Sequence, residues 1–148
     1  MPTSTRFVVA VHVLAALAIN NGKPLRSEDL AFSVGTGPVV IRGLLSRLND
    51  AGLTRSQMGA GGGALLARAP ERIRLLDVYL ATEDSGLFAT HRTEPCRDCV
   101  VGANILQAVA PSLARARQAM EDELGRTTIA DIAADVACRA QPSVATSL

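Results

Sequence analysis

Three cysteines are the residues of this chain that could carry out redox or metal chemistry. Cys96 and Cys99 stand in a Cys-x-x-Cys spacing, and Cys138 follows on a later segment. A thiolate reacts with oxidants and binds soft metals, and the adjacent Arg97 favours the thiolate form, whereas nearby acids oppose it. The spacing leaves three alternatives open: ordinary structural thiols, a thiol redox site, or an iron-sulfur or zinc site completed by His91 or a carboxylate.

Basic side chains are concentrated in the first half of the chain. Residues 1–74 carry nine Arg or Lys against four acids, a net charge of +5. Residues 75–148 carry six Arg against ten acids, a net charge of −4. A basic surface neutralises nucleic-acid phosphates, so we expect any DNA-binding surface in the first half, although a split of this size also arises by chance.

Two helices and a tight turn are predicted within this basic half. Ser27 is a good N-cap for a short helix over residues 28–33, because two acids in the following turn suit the helix dipole. Gly35 and Gly37 permit turn conformations, and Pro38 suits the first position of the next helix. That second helix, predicted to end near residue 51, has an apolar stripe at helical spacing. The stripe consists of Ile41, Leu44, Leu45 and Leu48.

A β-hairpin is predicted next. Short strands over residues 53–56 and 64–67 flank the glycine-rich run 59–63. The order helix, turn, helix, hairpin is typical of a winged helix-turn-helix, which places a helix in the major groove of DNA and a hairpin at the backbone or minor groove.

The outward side of this unit supplies the candidate DNA-binding residues. Arg42 could form a bidentate contact with guanine, and Val39 could contact a thymine methyl group. Arg47 could pair with Asp50 or hold a phosphate, while Arg55, with Arg68, could supply charge from the strands. The full candidate set is Ser27, Thr36, Pro38, Val39, Arg42, Ser46, Arg47, Arg55, Gly61 and Gly62.

The second half of the chain is predicted to contain a helix over residues 75–82, a loop over 85–97, a long helix from residue 102 and a last helix over 128–138. Pro111 should kink the long helix or split it at Ala110. A single helix of this length is marginally stable alone, so we expect its apolar seam to pair with a second copy; packing on its own domain is the alternative. The seam and predicted dimer interface is Ile105, Val109, Leu113, Ala116, Met120 and Leu124.

Composition limits the fold and the function class. The 148 residues include 48% hydrophobic residues, one Tyr and no Trp, which indicates an aliphatic core. We predict a mainly α fold with a small antiparallel β-hairpin: a winged helix-turn-helix domain over residues 1–83, and a sensor loop with a long C-terminal dimerisation helix over 84–148. No apolar run has membrane-span length, and three cysteines are too few for a secreted disulfide framework, so a cytoplasmic protein is expected.

Enzymatic motifs are incomplete in this chain. Val40 occupies the third glycine position of a dinucleotide fingerprint beginning at Gly35, and the run 59–63 lacks the Lys and hydroxyl residue of a phosphate loop. His12 and His91 have no nucleophile at a recognisable spacing. We therefore expect no catalytic residues.

The combined order of these motifs resembles the Rrf-two-type family of bacterial winged-helix regulators over roughly residues 5–135. The resemblance is carried by residues 27–31, 38–42, 45–48, 51–53, 61–63 and 75–79, and by residues 99–105, which resemble the segment leading into the dimer helix of that family. It implies a homodimeric, DNA-binding transcription regulator, commonly a repressor, whose affinity for a palindromic operator responds to a signal.

The chain departs from this family at two places. Members that bind an iron-sulfur cluster have three closely placed cysteines before the dimer helix, whereas this chain has two; we expect no cofactor, with an iron-sulfur cluster or zinc as the alternative. Met58 stands where members often have a basic residue before the first wing glycine. The function hypothesis is a redox-responsive regulator, with a metal-dependent sensor of the same family or a protein-interaction module without DNA binding as alternatives.

Overall fold

A computed structural model describes residues 4–84 and 86–141. Its elements, in chain order, are α1 (Arg6–Ile19), α2 (Ser27–Val34), α3 (Pro38–Asp50), β1 (Thr54–Gln57), β2 (Gly63–Leu66), a 3-10 turn (Pro70–Arg72), α4 (Leu75–Thr82), α5 (Val100–Leu124) and α6 (Ile129–Ala140). The mainly α fold with one antiparallel β-hairpin is confirmed. None of the described helices is long and apolar enough to cross a membrane.

The core of the described chain is aliphatic and is centred on α1. Fully or almost fully buried side chains come from α1, α2, α3, α4 and α6 and from two connecting segments: Ala10, Val13, Leu14, Leu17, Leu30, Ala31, Ile41, Leu48, Leu53, Ile73, Val78 and Ile129. The amphipathic spacing of α1 and α3 directs these residues inward because positions three and four apart share one helix face. Tyr79 packs edge-on against Phe7, with ring centroids 5.8 Å apart, as a packed core residue would.

The hairpin is a two-stranded antiparallel sheet with Arg55 opposite Leu65 and Gln57 opposite Gly63. The backbone of Leu25 exchanges two hydrogen bonds with Ala64, at 3.1 and 2.8 Å. This bridge joins the segment before α2 to the hairpin. The wing is therefore held by the helical body on its β2 side.

The last helix returns to the body after α5. Ile129 at its start is fully buried, and its backbone N–H donates to the carbonyl of Ile73 at 2.8 Å. Thr128 is the N-cap and forms a reciprocal capping box with Asp131. The predicted domain boundary at residue 83 stays a prediction, but α6 packs on α1 across it.

Several predicted boundaries are wrong by one or two residues. Arg26 is the N-cap of α2, so Ser27 is the first helical residue rather than the cap. The strands begin at Thr54 and Gly63, one residue later and one earlier than expected. α5 begins at Val100, two residues before the prediction. The sequence also predicts a frayed tail over residues 141–148, which lies, apart from Gln141, outside the described residues.

Pro111 does not split the long helix. α5 is one helix of 25 residues with Pro111 inside it. A proline removes one donor and commonly kinks a helix, but the hydrogen bonds of the turns on both sides keep α5 continuous. The predicted split at Ala110 is therefore wrong, and the alternative of a kink stays a prediction.

Candidate nucleic-acid interface

The predicted recognition helix α3 buries one side and exposes the other. Ile41 and Leu48 are fully buried and Leu44 nearly so, whereas Val39 is 76% exposed. Pro38 occupies the first turn after the N-cap Gly37, as predicted from its fixed φ. The exposed side of α3 carries Val39, Val40, Arg42, Gly43 and Ser46.

The turn between α2 and α3 places three further candidates near the start of α3. Gly35 has φ of 78°, a left-handed conformation that glycine adopts without the strain of a side chain. The N–H of Thr36 donates to the carbonyl of Ala31 at 3.0 Å, which closes the C-terminus of α2. Thr36, Pro38 and Ser27 are all half-buried. Their positions at a turn and at helix starts present backbone and small polar groups, which commonly bind DNA phosphates.

Arg42 is paired with a carboxylate of the preceding helix. Its Nη2 donates to Oε1 of Glu28 at 2.6 Å, and the two side chains are 56% and 58% exposed. The backbone N–H of Glu28 and the guanidinium of Arg42 both lower the pKa of the Glu28 carboxyl. Glu28 is therefore ionised at neutral pH, and the pair presents no net charge on this surface.

Arg47 is also paired, but with a residue outside its helix. Its Nη1 and Nη2 donate to Oδ1 and Oδ2 of Asp84 at 2.8 and 3.2 Å. Arg6 of α1 contacts the same carboxylate at 3.1 Å. The prediction that Arg47 could pair with Asp50 is wrong, because the guanidinium pairs with Asp84, two residues beyond the end of α4. The Arg47 and Arg6 guanidiniums lower the pKa of Asp84.

The hairpin is joined to the C-terminus of α3 by Asn49, Thr54 and Ser56, which the sequence did not single out, and by Arg68, which it assigned to DNA. The hydroxyl of Thr54 donates to Oδ1 of Asn49, and Nδ2 of Asn49 donates to the hydroxyl of Ser56 at 3.3 Å. Arg68 donates to the carbonyls of Gly52 and Ala51 at 3.1 and 3.3 Å. Arg68 thus caps α3 instead of extending toward a ligand. Only the polar character of Asn49 at the helix end could have signalled this link.

The wing tip depends on glycine. A Cβ added to Gly62 would lie 2.2 Å from the carbonyl oxygen of Gln57, and Gly61 has φ of 75°. Both facts require glycine at these positions. Met58 beside the tip is 88% exposed, and Arg55 on β1 is exposed. Arg55, Gly61 and Gly62 therefore lie at the surface or in the turn of the hairpin.

The three cysteines are exposed and free of disulfides, and one of them has an altered acidity. Cys99 is the N-cap residue of α5, and the backbone N–H groups of Gly102 and Val101 at this helix start lower the pKa of its thiol. Cys96 lies against the same helix end, since a Cβ on Gly102 would be 2.1 Å from the Cys96 carbonyl oxygen. Cys138 lies on α6. The structure therefore brings Cys96 and Cys99 to one helix end and leaves Cys138 on another element.

The predicted seam of α5 is half-buried. Ile105, Val109, Leu113, Met120 and Leu124 are half-buried, whereas Ala116 is exposed. A cavity of about 430 Å³ lies between Val109, Leu113 and loop residues that include Phe88 and His91. In the described part of the chain, every residue of α5 is exposed or half-buried. Loop 86–91 thus lies along part of the seam, and the predicted dimer interface stays a prediction.

Comparison with known proteins identifies the family. The family model of Rrf2, described as an iron-dependent transcriptional regulator, matches residues 3–135. The chain belongs to the Rrf2 family. The similarity includes the winged-helix unit and α5, which confirms the predicted family and the predicted class of DNA-binding transcription regulators rather than enzymes.

Individual Rrf2 relatives are similar over most of their length. YwnA of Bacillus subtilis (strain 168), assigned as an HTH-type transcriptional regulator, is 35% identical over 130 residues, which are 87% of this chain and 95% of YwnA. The structure of IscR from T. potens is 26% identical, with a TM-score of 0.66 over 97% of this chain and 93% of IscR. CymR, the global cysteine regulator of B. subtilis, has the same fold, with a TM-score of 0.67 at 24% identity over 90% of this chain and 97% of CymR.

The Rrf2 family description names iron, so the donor residues of this chain are compared with those that an iron-sulfur cluster requires. Iron-sulfur clusters in proteins are held mainly by Cys thiolates, commonly four. Cys96 and Cys99 are two donors at one helix end, and Cys138 lies on another helix. Within residues 4–84 and 86–141, no three His, Cys, Asp or Glu side chains are gathered as a metal site. The donor set of this chain does not fit a cluster held by one protomer.

Proposed function

We propose that this Rrf2-family protein is a homodimeric, sequence-specific DNA-binding repressor whose DNA binding responds to thiol oxidation. The observation that carries the proposal is the two-sided character of α3. Its apolar stripe is buried, while Val39, Arg42 and Ser46 stand exposed on the other side. A helix held in this way can enter a major groove without disturbing the core that supports it.

The exposed side chains suit separate tasks on DNA. Arg42 has the donor geometry to bind O6 and N7 of guanine, and Val39 offers an apolar contact to a thymine methyl group. Arg55 carries a charge suited to phosphates, and Arg47 supplies another only where it is released from Asp84. The remaining contacts are assigned to backbone and small polar groups of the turn and the wing, namely Ser27, Thr36, Pro38, Ser46, Gly61 and Gly62.

The homodimer is inferred from α5. This helix has 25 residues, yet Val100 is 82% and Val101 65% exposed, and its seam is only half-buried. A two-fold pair joined through Ile105, Val109, Leu113, Ala116, Met120 and Leu124 would bury more of this apolar surface. Two α3 helices related by that axis would match a palindromic operator with half-sites about one turn of DNA, roughly 34 Å, apart.

Thiol responsiveness is assigned to the start of α5. The Cys99 thiol has a lowered pKa and is exposed, which favours reaction as a thiolate. Attack of the Cys99 thiolate on a hydroperoxide breaks the O–O bond, forms a sulfenic acid and releases alkoxide or hydroxide. The thiol of Cys96 or Cys138 then displaces water from the sulfenic acid and forms a disulfide. The change at the base of α5 would alter the spacing of the two DNA-binding units.

Selection of bound fragments from the genomic DNA of the source cell tests this function. We expect enrichment of a palindromic sequence, and a rise in transcription of the adjoining genes when the protein is removed, as for a repressor in the cytoplasm. A fall in affinity after mild oxidation, with loss of free thiols, supports the redox response. Enrichment of no sequence contradicts the DNA-binding assignment, and a coloured, anaerobically purified protein contradicts the thiol mechanism in favour of a cluster.

A further inference from the structure

The stability of the fold does not explain the ion pair between Arg42 and Glu28. Both side chains are more than half exposed, and exposed ion pairs contribute little to stability. Glu28 also stands in the first turn of α2, beside the candidate contact Ser27. A carboxylate at this position repels the phosphates that the surface is proposed to bind. Glu28 and Asp29 both suit the helix dipole at the start of α2, but only Glu28 also contacts Arg42.

The geometry leaves Arg42 with donors to spare. Glu28 engages Nη2 through one carboxylate oxygen at 2.6 Å, and a guanidinium carries five N–H donors in a planar fork. Fixing one nitrogen restricts the rotamers of a long side chain before DNA arrives. The ordering cost of base recognition is then reduced, because the side chain is already held.

We propose that Glu28 is a specificity-determining positioning residue: it holds the Arg42 guanidinium for guanine and restrains it from phosphates. This inference rests on the DNA-binding function proposed above. An unpaired arginine gains affinity for any duplex because phosphates occur at every step. A paired arginine gains little from a phosphate, since it must give up or share Glu28. A planar acceptor pair such as O6 and N7 of guanine matches the donors that remain.

Asp29 provides a matched control for the charge of Glu28. It is the next residue in the same helical turn and is likewise exposed. Within the described chain, Asp29 takes part in no ion pair. Glu28→Gln and Asp29→Asn each remove one negative charge from the start of α2, but only Glu28→Gln removes the carboxylate that pairs with Arg42.

The experiment compares the full-length wild type, Glu28→Gln, Asp29→Asn and Arg42→Ala on a duplex selected by the wild type and on a shuffled duplex. Glu28→Gln should lower the ratio of selected to shuffled affinity about tenfold, with tighter binding to the shuffled duplex. Its shuffled binding should also gain a salt slope of about 0.9, the value for one added phosphate contact. Asp29→Asn should change both affinities alike and preserve the ratio.

A double variant and the wild-type selection distinguish failure of the positioning role of Glu28 from failure of the DNA-binding function. In an Arg42→Ala background, Glu28→Gln should leave the ratio unchanged, because the side chain it restrains is gone. Equal effects of Glu28→Gln and Asp29→Asn on both duplexes overturn the positioning role while DNA binding stands. A wild type that selects no sequence overturns the proposed function and this inference together. Thermal unfolding curves measured by circular dichroism should be the same for the variants and the wild type, which excludes misfolding as the cause of a lower ratio of selected to shuffled affinity.

Discussion

Arg47 of α3 and Asp84, 37 residues later, form a two-pronged ion pair at 2.8 and 3.2 Å. Asp84 lies two residues beyond the end of α4 and begins the segment that leads to the cysteines. Arg6 of α1 binds the same carboxylate. One carboxylate thus connects the candidate DNA-reading helix, the first helix and the start of the predicted sensor loop.

Replacing this carboxylate should strengthen DNA binding. In Asp84→Asn, Arg47 loses its anionic partner and becomes available to a phosphate, so affinity should rise several-fold at low salt. The salt dependence should become steeper by about one unit. Fluorescence anisotropy across a salt series measures both quantities. The same substitution in an Arg47→Ala background serves as the control, and an equal gain there would show that Arg47 is not responsible.

Gly43→Ala should stabilise the protein. Gly43 lies in the middle of α3, and an added Cβ would meet nothing within 4 Å among the described residues. Alanine at an exposed mid-helix position is favoured over glycine by about 1 kcal/mol. Urea unfolding measures the gain. A weaker DNA affinity in a stabilised Gly43→Ala variant would indicate that the DNA backbone approaches this position, whereas a loss of stability contradicts the prediction.

Cys99 should be the most reactive thiol of the chain. The backbone N–H groups of Gly102 and Val101 favour its thiolate and lower its pKa below the ordinary value of 9.0. Alkylation by iodoacetamide should therefore be faster for Cys99 than for Cys138, and its rate should reach half-maximum at a lower pH. Variants that retain one cysteine each allow the comparison. Equal rates and equal midpoints for Cys99 and Cys138 would rule out an activated thiol at the start of α5.

The capping box of α6 should make stability depend on pH. Hydrogen bonds from the backbone and side chain of Thr128 lower the pKa of Asp131 below its ordinary value of 3.8. Stability from the ionised carboxylate is thus present above about pH 4 and is lost as the pH falls through the lower folded value. Asp131→Asn should destabilise the protein at pH 7 but less so near pH 3, as measured by urea unfolding.

Thr128→Ser supplies a control for the same box. Serine keeps the hydroxyl that accepts from the Asp131 N–H, so its effect on stability should be small at both pH values. Thr128→Ala removes that acceptor and should cost about 1 kcal/mol. If Asp131→Asn lowers the free energy of unfolding equally at both pH values, the charge of Asp131 does not stabilise α6.

Local sequence signals predicted the elements of the candidate interface well. The buried stripe Ile41, Leu44 and Leu48, the turn glycines and the first-turn proline each act through neighbours within four residues, so their spacing alone indicates a helix and its start. α4 was predicted with its observed bounds for the same reason. The glycine run predicted the wing, because left-handed backbone such as that of Gly61 selects glycine locally.

The partners of the arginines were not predictable in this way. Sequence spacing predicted Asp50 as a partner of Arg47, but in the tertiary structure Arg47 pairs with Asp84. Arg68 donates to a backbone carbonyl at the end of α3. A charged side chain pairs with whichever opposite group or carbonyl the packing of other elements places within about 4 Å. That placement depends on the whole fold and not on local sequence.

The sequence by itself determined the helix-turn-helix and hairpin elements, the family and the positions of the thiols, because periodicity, capping residues and glycine turns act over a few residues. Only the tertiary structure decided that Glu28 holds Arg42, that Asp84 joins Arg47 to Arg6, and that Ile129 completes the core from a distant helix. These contacts join segments far apart in the chain. They contribute to stability only after the core has packed and brought these segments together.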